Sequence, residues 1–233
     1  MEFDTPLQEA VLERRYKRFL ADVILPDGSR VTAHCANSGS MLGCAPEGAR
    51  VWLSANTNPR AKLDWRWELV EVGGALVGIN TNRPNAVVAE AIADGTIAPL
   101  KGYERLRREV RYGENSRIDI LLEDGGRRAY VEVKNVTLAG DGVARFPDAI
   151  TARGRKHLRE LMAMVDAGHR AVMVFLVQRG DCKLFMPASE IDPAYADTLK
   201  AAAAHGVEIL VYDCAVSERA VRVRRALPHD LGG

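Results

Sequence analysis

Short alternations of apolar and polar residues fill the first eighty or so positions, and each is closed by turn-forming residues. "RFLADVIL" (18–25) ends at "PDGS", "RVTAHC" (30–35) ends at the small-residue loop "ANSGSM", and "RVWLSAN" (50–56) and "WRWELVEV" (65–72) follow before "GG". Period-two runs at this spacing predict a small barrel or sandwich, and a five-stranded OB-like barrel is the expectation. Near residue 80 the texture changes. "INTNRPN" is rich in Asn and Pro, and "NAVVAEAIADG" (85–95) carries apolar positions at helical spacing between a candidate Asn85 cap and a Gly95 stop. Strands are then expected at 106–112, 117–123 and 128–136. A helix at 152–168, the buried-looking strand "RAVMVFLVQ" (170–178), a helix at 196–206 and the strand "VEILVYDCAV" (207–216) complete the pattern. Helix, three strands, helix, strand is a mixed α/β order. The expected division is residues 1–80 as the barrel and 81–233 as a mixed-sheet domain, with the boundary near 78–84.

The 233 residues are 47% hydrophobic and 27% charged, a globular composition that leaves no room for a disordered or fibrous reading. The apolar run at 171–177 is far shorter than the roughly 20 residues that span a bilayer, and the acidic start resembles no export signal. A soluble cytoplasmic protein with no membrane partner is expected. Cys35, Cys44, Cys182 and Cys214 are scattered without a CxxC pair, so they predict reduced packing residues and neither a zinc site nor a disulfide scaffold. With a net charge of +1, a polyanionic partner would have to be met by local patches. Four basic runs qualify: "RRYKR" (14–18), "RLRREVR" (105–111), "RGRKHLR" (153–159) and "RAVRVRR" (219–225). Each also reads as a solvated face of an ordinary element.

The candidate chemistry lies in "RIDILLEDGGRRAYVEVKNV" (117–136). A two-residue turn at Gly125 and Gly126 pairs Asp124 with Arg127, so facing positions sum to 251 and Asp119 lies opposite Glu132. Period two sets Lys134 on the face of Glu132. Facing acids repel, and a buried carboxylate is costly unless it is paired or holds a metal. Lys134 could neutralise one acid, while two carboxylates with room for water suit magnesium. The competing reading is an exposed face with a common charge ladder, and a longer turn would shift the register. In the loop 33–41, His34, Asn37 and Ser38 could offer a phosphate nest, or the loop is a plain turn built on Asn37 and Gly39. Arg153, Arg155 and Lys156 open a helix, where basic side chains and free amides suit phosphate. The tryptophans Trp52, Trp65 and Trp67 fit core packing better than base stacking.

Asp119 in one strand and Glu132-Val133-Lys134 in the next resemble the PD-(D/E)xK nuclease superfamily, with Ile118 where that motif has its Pro. The whole chain resembles the sugar fermentation stimulation protein family. The match runs through "RRYKRFLADV", "AHCANSGSM", "GINTNRPN", "YGENSRIDILLE", "YVEVKNVTL" and "FPDAITARGRKHLREL". The resemblance implies an α/β (α+β) protein with an N-terminal OB-like β-barrel and a restriction-endonuclease-like mixed-sheet domain, and it implies DNA binding. The reading that follows is a DNA-binding protein with a magnesium- or manganese-dependent phosphodiester hydrolase site. Asp119 and Glu132 would be its metal ligands, Lys134 its third catalytic residue and Glu90 an additional acid. Arg14, Arg15, Lys17, Arg18, His34, Asn37, Ser38, Arg153, Arg155 and Lys156 would contact the nucleic acid, which is expected to be double-stranded. The alternative is a non-catalytic DNA-binding regulator linked to sugar (maltose) metabolism. Oligomeric state is left open, a homodimer included.

Overall fold

The computed structural model describes residues 1–112 and 116–232; Gly113, Glu114 and Asn115 of "YGENSRIDILLE" lie outside them. Strands β1 (Gln8–Tyr16), β2 (Leu20–Ile24), β3 (Arg30–Cys35), β4 (Arg50–Ala55), β5 (Trp65–Val72) and β6 (Ala75–Gly78) form one sheet in the order β3-β2-β1-β4-β5-β6. Parallel pairing of β3 with β5, Ala33 with Trp65 through Cys35 with Trp67, closes β1 to β5 into an OB-like barrel. Its interior is filled by Ala10, Leu12, Val23, Val51, Leu53, Trp67 and Val77. Cys35 and Cys44 pack there as buried free thiols. The central residues of β4 and β5 are buried on both faces, the polar Ser54 and Glu68 among them. Trp52 and Leu69 leave the barrel interior and join the neighbouring core.

That second core lies against a mixed sheet. Helix α1 (Pro84–Ala93) precedes β7 (Arg105–Tyr112), β8 (Ser116–Asp124) and β9 (Arg127–Val136). The short strands β10 (Ala139–Gly140) and β11 (Val143–Phe146) lead to α2 (Ala152–Asp166). β12 (Arg170–Val177), β13 (Leu184–Pro187), α3 (Pro193–Ala204), β14 (Glu208–Val216) and β15 (Val221–Ala226) follow. The sheet order is β15-β14-β12-β9-β8-β7, and β9, β12 and β14 run parallel because α2 and α3 carry the chain back between them. Leu158, Leu161, Tyr195 and Leu199 of α2 and α3 cover one face. Val87, Val88 and Ile92 of α1, with the outward Trp52, cover the other. Among the described residues, no helix is long and apolar enough to cross a membrane.

Local chemistry explains the boundaries. Thr151 caps α2 by accepting from the Gly154 amide at 2.9 Å, and Asp192 caps α3 by accepting from the Tyr195 amide at 3.0 Å. α1 begins on Pro84, with Arg83 at its cap position and no side-chain cap, so Asn85 is not the cap that the sequence suggested. A proline at the first helical position needs no amide partner, and this leaves the Asn85 side chain available elsewhere. The β8–β9 hairpin has the expected register, Asp124 with Arg127 and Ile120 with Val131. Gly125 and Gly126 have φ of 52° and 93°, the left-handed pair that a tight two-residue hairpin requires. Three basic runs lie in strands in the structure, "RLRREVR" as β7. "RRYKR" ends β1, and "RAVRVRR" becomes the edge strand β15, whose arginines lie on an exposed margin that resists pairing with other chains.

Barrel and helix are joined by a buried carboxylate. Glu68 of β5, 1% exposed, accepts from Ser54 Oγ at 2.8 Å and Asn80 Nδ2 at 2.9 Å. Arg83, just before α1, donates to it from both Nε (3.2 Å) and an η nitrogen (2.8 Å). Removing one side of a buried pair strands the other charge. Glu68→Gln is therefore expected to lower unfolding free energy by about 3 kcal/mol, read from the urea midpoint. A loss under about 1 kcal/mol, the scale of an exposed pair, would show that Arg83 is solvated.

Candidate metal and phosphate site

A cleft of about 800 Å³ opens where the barrel loop 37–39, the start of α1, strands β8 and β9 and the start of α2 converge. Asp119 and Glu132 lie in it with Lys134, so the hairpin register brings the three predicted residues together. The ladder between β8 and β9 is paired as far as Ile120 and Val131. One step further, the Asp119 side chain takes over as acceptor: its Oδ2 accepts from the Val133 amide at 2.8 Å. Its Oδ1 accepts from Asn85 Nδ2 at 2.8 Å, and the same Asn85 nitrogen donates to Glu109 Oε1 at 3.1 Å. Glu109 sits between the paired residues Arg108 and Val110 of β7 in a left-handed conformation, φ 56°. Asn85 thus ties two carboxylates from neighbouring strands.

Glu132 is 2% exposed. Its Oε1 accepts from Lys134 Nζ at 2.7 Å and meets Nδ1 of His157 in a short contact. Arg153 Nε donates to His157 Nε2 at 3.2 Å. With Nε2 accepting, the ring N–H that faces Glu132 is the one on Nδ1, and Lys134 Nζ lies 3.2 Å from the same nitrogen. The other oxygen, Glu132 Oε2, is buried with no hydrogen-bond partner. Burial pushes the Glu132 carboxyl up, but the Lys134 charge and the His157 hydrogen bond outweigh it and hold the group below its usual range. Asp119 goes the other way. Burial, then the charge of Glu132, push it up to about 6 against the pull of the Val133 amide, Lys134 and Asn85.

An ionised acid with an unsatisfied buried oxygen, beside a second acid that resists ionisation, lacks positive charge. A hard divalent cation fits. Among the described residues no group of three or more His, Cys, Asp or Glu converges to hold an ion unaided, so the pair suits a cation that keeps waters and accepts oxygens from a bound molecule, as magnesium does.

The other predicted contacts divide. Arg153 and Lys156 line the cleft, as do Asn37 and Ser38. Arg155 does not: its guanidinium donates to both oxygens of the buried Asp192 at 3.0 Å, which makes it a brace between α2 and the start of α3. Glu90 lies five residues from Asn85, about 140° around the helix, and it pairs with the N-terminal ammonium of Met1 on the far side. Arg15 is spent on four carbonyls, those of Arg18, Asn37, Gly39 and Ser40. Arg14 pairs with Asp22 at 2.9 Å, while Lys17 and Arg18 form the β1–β2 turn; neither these nor His34 line the cleft. The loop's own side chains occupy several of its amides. The Gly39 amide donates to Asn37 Oδ1, that of Met41 to Asp148 Oδ2 and that of Leu42 to Ser40 Oγ, which leaves few amides for a phosphate. Trp52 and Trp67 are core residues.

Asn85, Glu109, His157, Arg117 and Arg145 line the cleft and escaped the sequence reading. A signal existed for His157, since it follows Arg153 by four residues and so shares its helix face. None existed for Glu109, whose orientation comes from an irregular backbone position.

An OB barrel set against a mixed sheet, with the buried Glu132, the half-buried Asp119 and Lys134 in the cleft where they meet, defines a two-domain α/β protein with a charged interdomain cleft. The family model described as "SfsA N-terminal OB domain" matches residues 14–79, and "Sugar fermentation stimulation protein RE domain" matches 82–220. A sugar fermentation stimulation protein homolog of Rhodospirillum centenum is 60% identical over 229 residues, 97% of this chain and 98% of the relative. Its counterpart in Rhodospirillum rubrum is 58% identical over 241 residues, 98% of each chain. The structure of Pyrococcus furiosus SfsA in complex with Ca2+ superposes with a TM-score of 0.89 at 27% identity, over 99% of this chain and 98% of that one. The chain belongs to the sugar fermentation stimulation protein family.

The raised Asp119 gives a signed expectation for the metal-free protein. Between its ordinary value of 3.8 and about 6 the folded state keeps a proton that the unfolded chain has released. Stability contributed at this position is therefore present at low pH and lost as pH rises through that window. Asp119→Asn cannot ionise. In chelator its stability relative to the parent should rise by roughly 2 kcal/mol between pH 4 and pH 7, measured by urea unfolding at both. A difference that does not change with pH would show that Asp119 titrates normally.

Proposed function

We propose that the protein binds DNA in this cleft and hydrolyses a phosphodiester bond with magnesium or manganese at Asp119 and Glu132. The observation that carries the reading is the buried Glu132, one oxygen of which has no partner, beside the half-buried Asp119, with Lys134 next to it in a cleft lined by Arg117, Arg145, Arg153 and Lys156. The calcium named for the Pyrococcus furiosus relative is another hard, oxygen-seeking ion, which supports a divalent site in this family member as well. We further propose that residues 81–233 carry the chemistry and that residues 1–80 supply the opposite wall through Asn37 and Ser38.

A divalent cation bound here would supply Lewis acidity toward a phosphoryl oxygen and lower the pKa of a bound water. The protein's own groups do the rest. His157 donates to one Glu132 oxygen and leaves the other pointing away from any protein donor. Asn85 and the Val133 amide fix the Asp119 carboxylate. Lys134 brings a positive charge and a proton donor next to Glu132, where it can neutralise charge building on the phosphate. Arg153 and Lys156 hold the flanking phosphates.

The test uses magnesium or manganese against chelator on labelled DNA. Glu132→Gln and Lys134→Met should each lower cleavage by roughly 100-fold or more, the scale of a lost charge stabiliser, while DNA affinity stays within about twofold. Affinity should fall with salt at a log–log slope of about −0.9 per neutralised phosphate. Charge reversal at Arg153 and Lys156 should reduce that slope. Arg155→Ala should lower stability and leave the slope unchanged. A parent that binds DNA but cuts none with either metal would support the non-catalytic regulator instead.

A further inference from the structure

Four large apolar side chains are exposed among the described residues: Val11, Phe19, Leu42 and Ile150. The two most exposed are Ile150 at 76% and Leu42 at 53%. They flank one clasp between the barrel and the mixed-sheet domain. Ser40 Oγ donates to the Asp148 carbonyl at 2.7 Å, and the Met41 amide donates to Asp148 Oδ2 at 2.9 Å. Gly39 allows this approach, because a Cβ there would stand 2.8 Å from Asp148 Oδ2. Leu42 follows the clasp on the barrel side. Ile150 follows it on the other side, between Asp148 and Arg153, which both line the cleft, as do Ser38 and Gly39. Two exposed apolar side chains thus adjoin, in sequence, residues that line a cleft whose walls carry Arg117, Arg145, Arg153 and Lys156 as well as acids.

A lone exposed leucine needs no explanation, and two side chains are far too little surface for a protein partner, whose interface buries roughly 1,600 Å². A wedge between stacked bases needs only one or two such side chains, and basic groups alongside hold the flanking backbone. The cleft favours the same partner. Glu132 lies 2% exposed within it, a depth that a strand released from its stack reaches more readily than a paired one.

Resting on the DNA-binding reading above, we propose that Leu42 and Ile150 form a wedge that stacks against unpaired bases. The preferred ligand is then DNA with a locally unstacked segment, such as a gap, a bulge or a strand end, rather than continuous duplex. The wedge holds the strand open while its backbone enters the cleft.

The test compares a fully paired duplex with one carrying a short unpaired segment that contains a fluorescent adenine analogue, both with the full chain in chelator. The parent should bind the unpaired substrate about tenfold more tightly, the scale of stacking contacts, with a change in analogue emission. Leu42→Ala combined with Ile150→Ala should erase that preference and the emission change while leaving affinity for paired duplex as it was. Ile150→Leu with Leu42 intact should retain both. A parent that binds the two substrates equally, or a double alanine variant that keeps the preference, overturns the wedge and leaves the DNA reading intact. Binding of neither substrate overturns both. A change of oligomeric state in the double variant, seen by sedimentation, would assign the pair to a protein contact and also overturn the wedge.

Discussion

The charge of Glu132, almost wholly removed from water, is the constraint around which this molecule is arranged. A buried carboxylate is tolerable only with compensation, and here it comes from two directions: Lys134 two residues along the same strand, and His157 from the first turns of α2. The second source depends on the crossover that brings α2 back over the sheet. It also depends on Arg153 keeping the His157 proton on the nitrogen that faces the acid. The compensation remains incomplete, since Oε2 has no partner and the neighbouring Asp119 resists ionisation. Perturbed groups of this kind in a cleft are what functional sites are made of.

The cleft itself exists because the barrel is fixed against the sheet domain at two polar points. Glu68 with Arg83 anchors β5 to the start of α1, and Asp148 with Ser40 and Met41 closes the other end. Between them, Trp52 and Leu69 of the barrel share a core with α1 and the mixed sheet. Anchoring Arg83 also sets the start of α1, and with it the direction of Asn85, which orients Asp119 and Glu109. A buried ion pair in the interface is in this way connected through one helical turn to the acids of the site.

Much of this was legible beforehand for physical reasons that differ by element. Strands with strict alternation, and helices with apolar positions at helical spacing and glycine stops, declared themselves because local propensity and burial agree there. The β8–β9 hairpin has the register of the simplest two-residue turn, because Gly125 and Gly126 both take the left-handed backbone that such a turn requires. β1 and β15 read as basic runs instead, since each buries only a few apolar positions on one face and exposes arginines on the other. The basic residues were the weakest part of the reading. Arg155 and Arg15 look identical to Arg153 in sequence, yet one braces Asp192 and the other ties down the loop 37–40.

By itself, then, the sequence determined the two-part architecture, the hairpin register and the convergence of Asp119, Glu132 and Lys134, because all three follow from interactions between residues close along the chain. The tertiary structure alone decided which cations line the cleft, that His157, Asn85 and Glu109 join the acids, and that Glu90 faces away. These depend on contacts between elements far apart in sequence, where the rotation of a helix by one residue or a single left-handed backbone angle redirects a side chain, and no local pattern encodes that rotation.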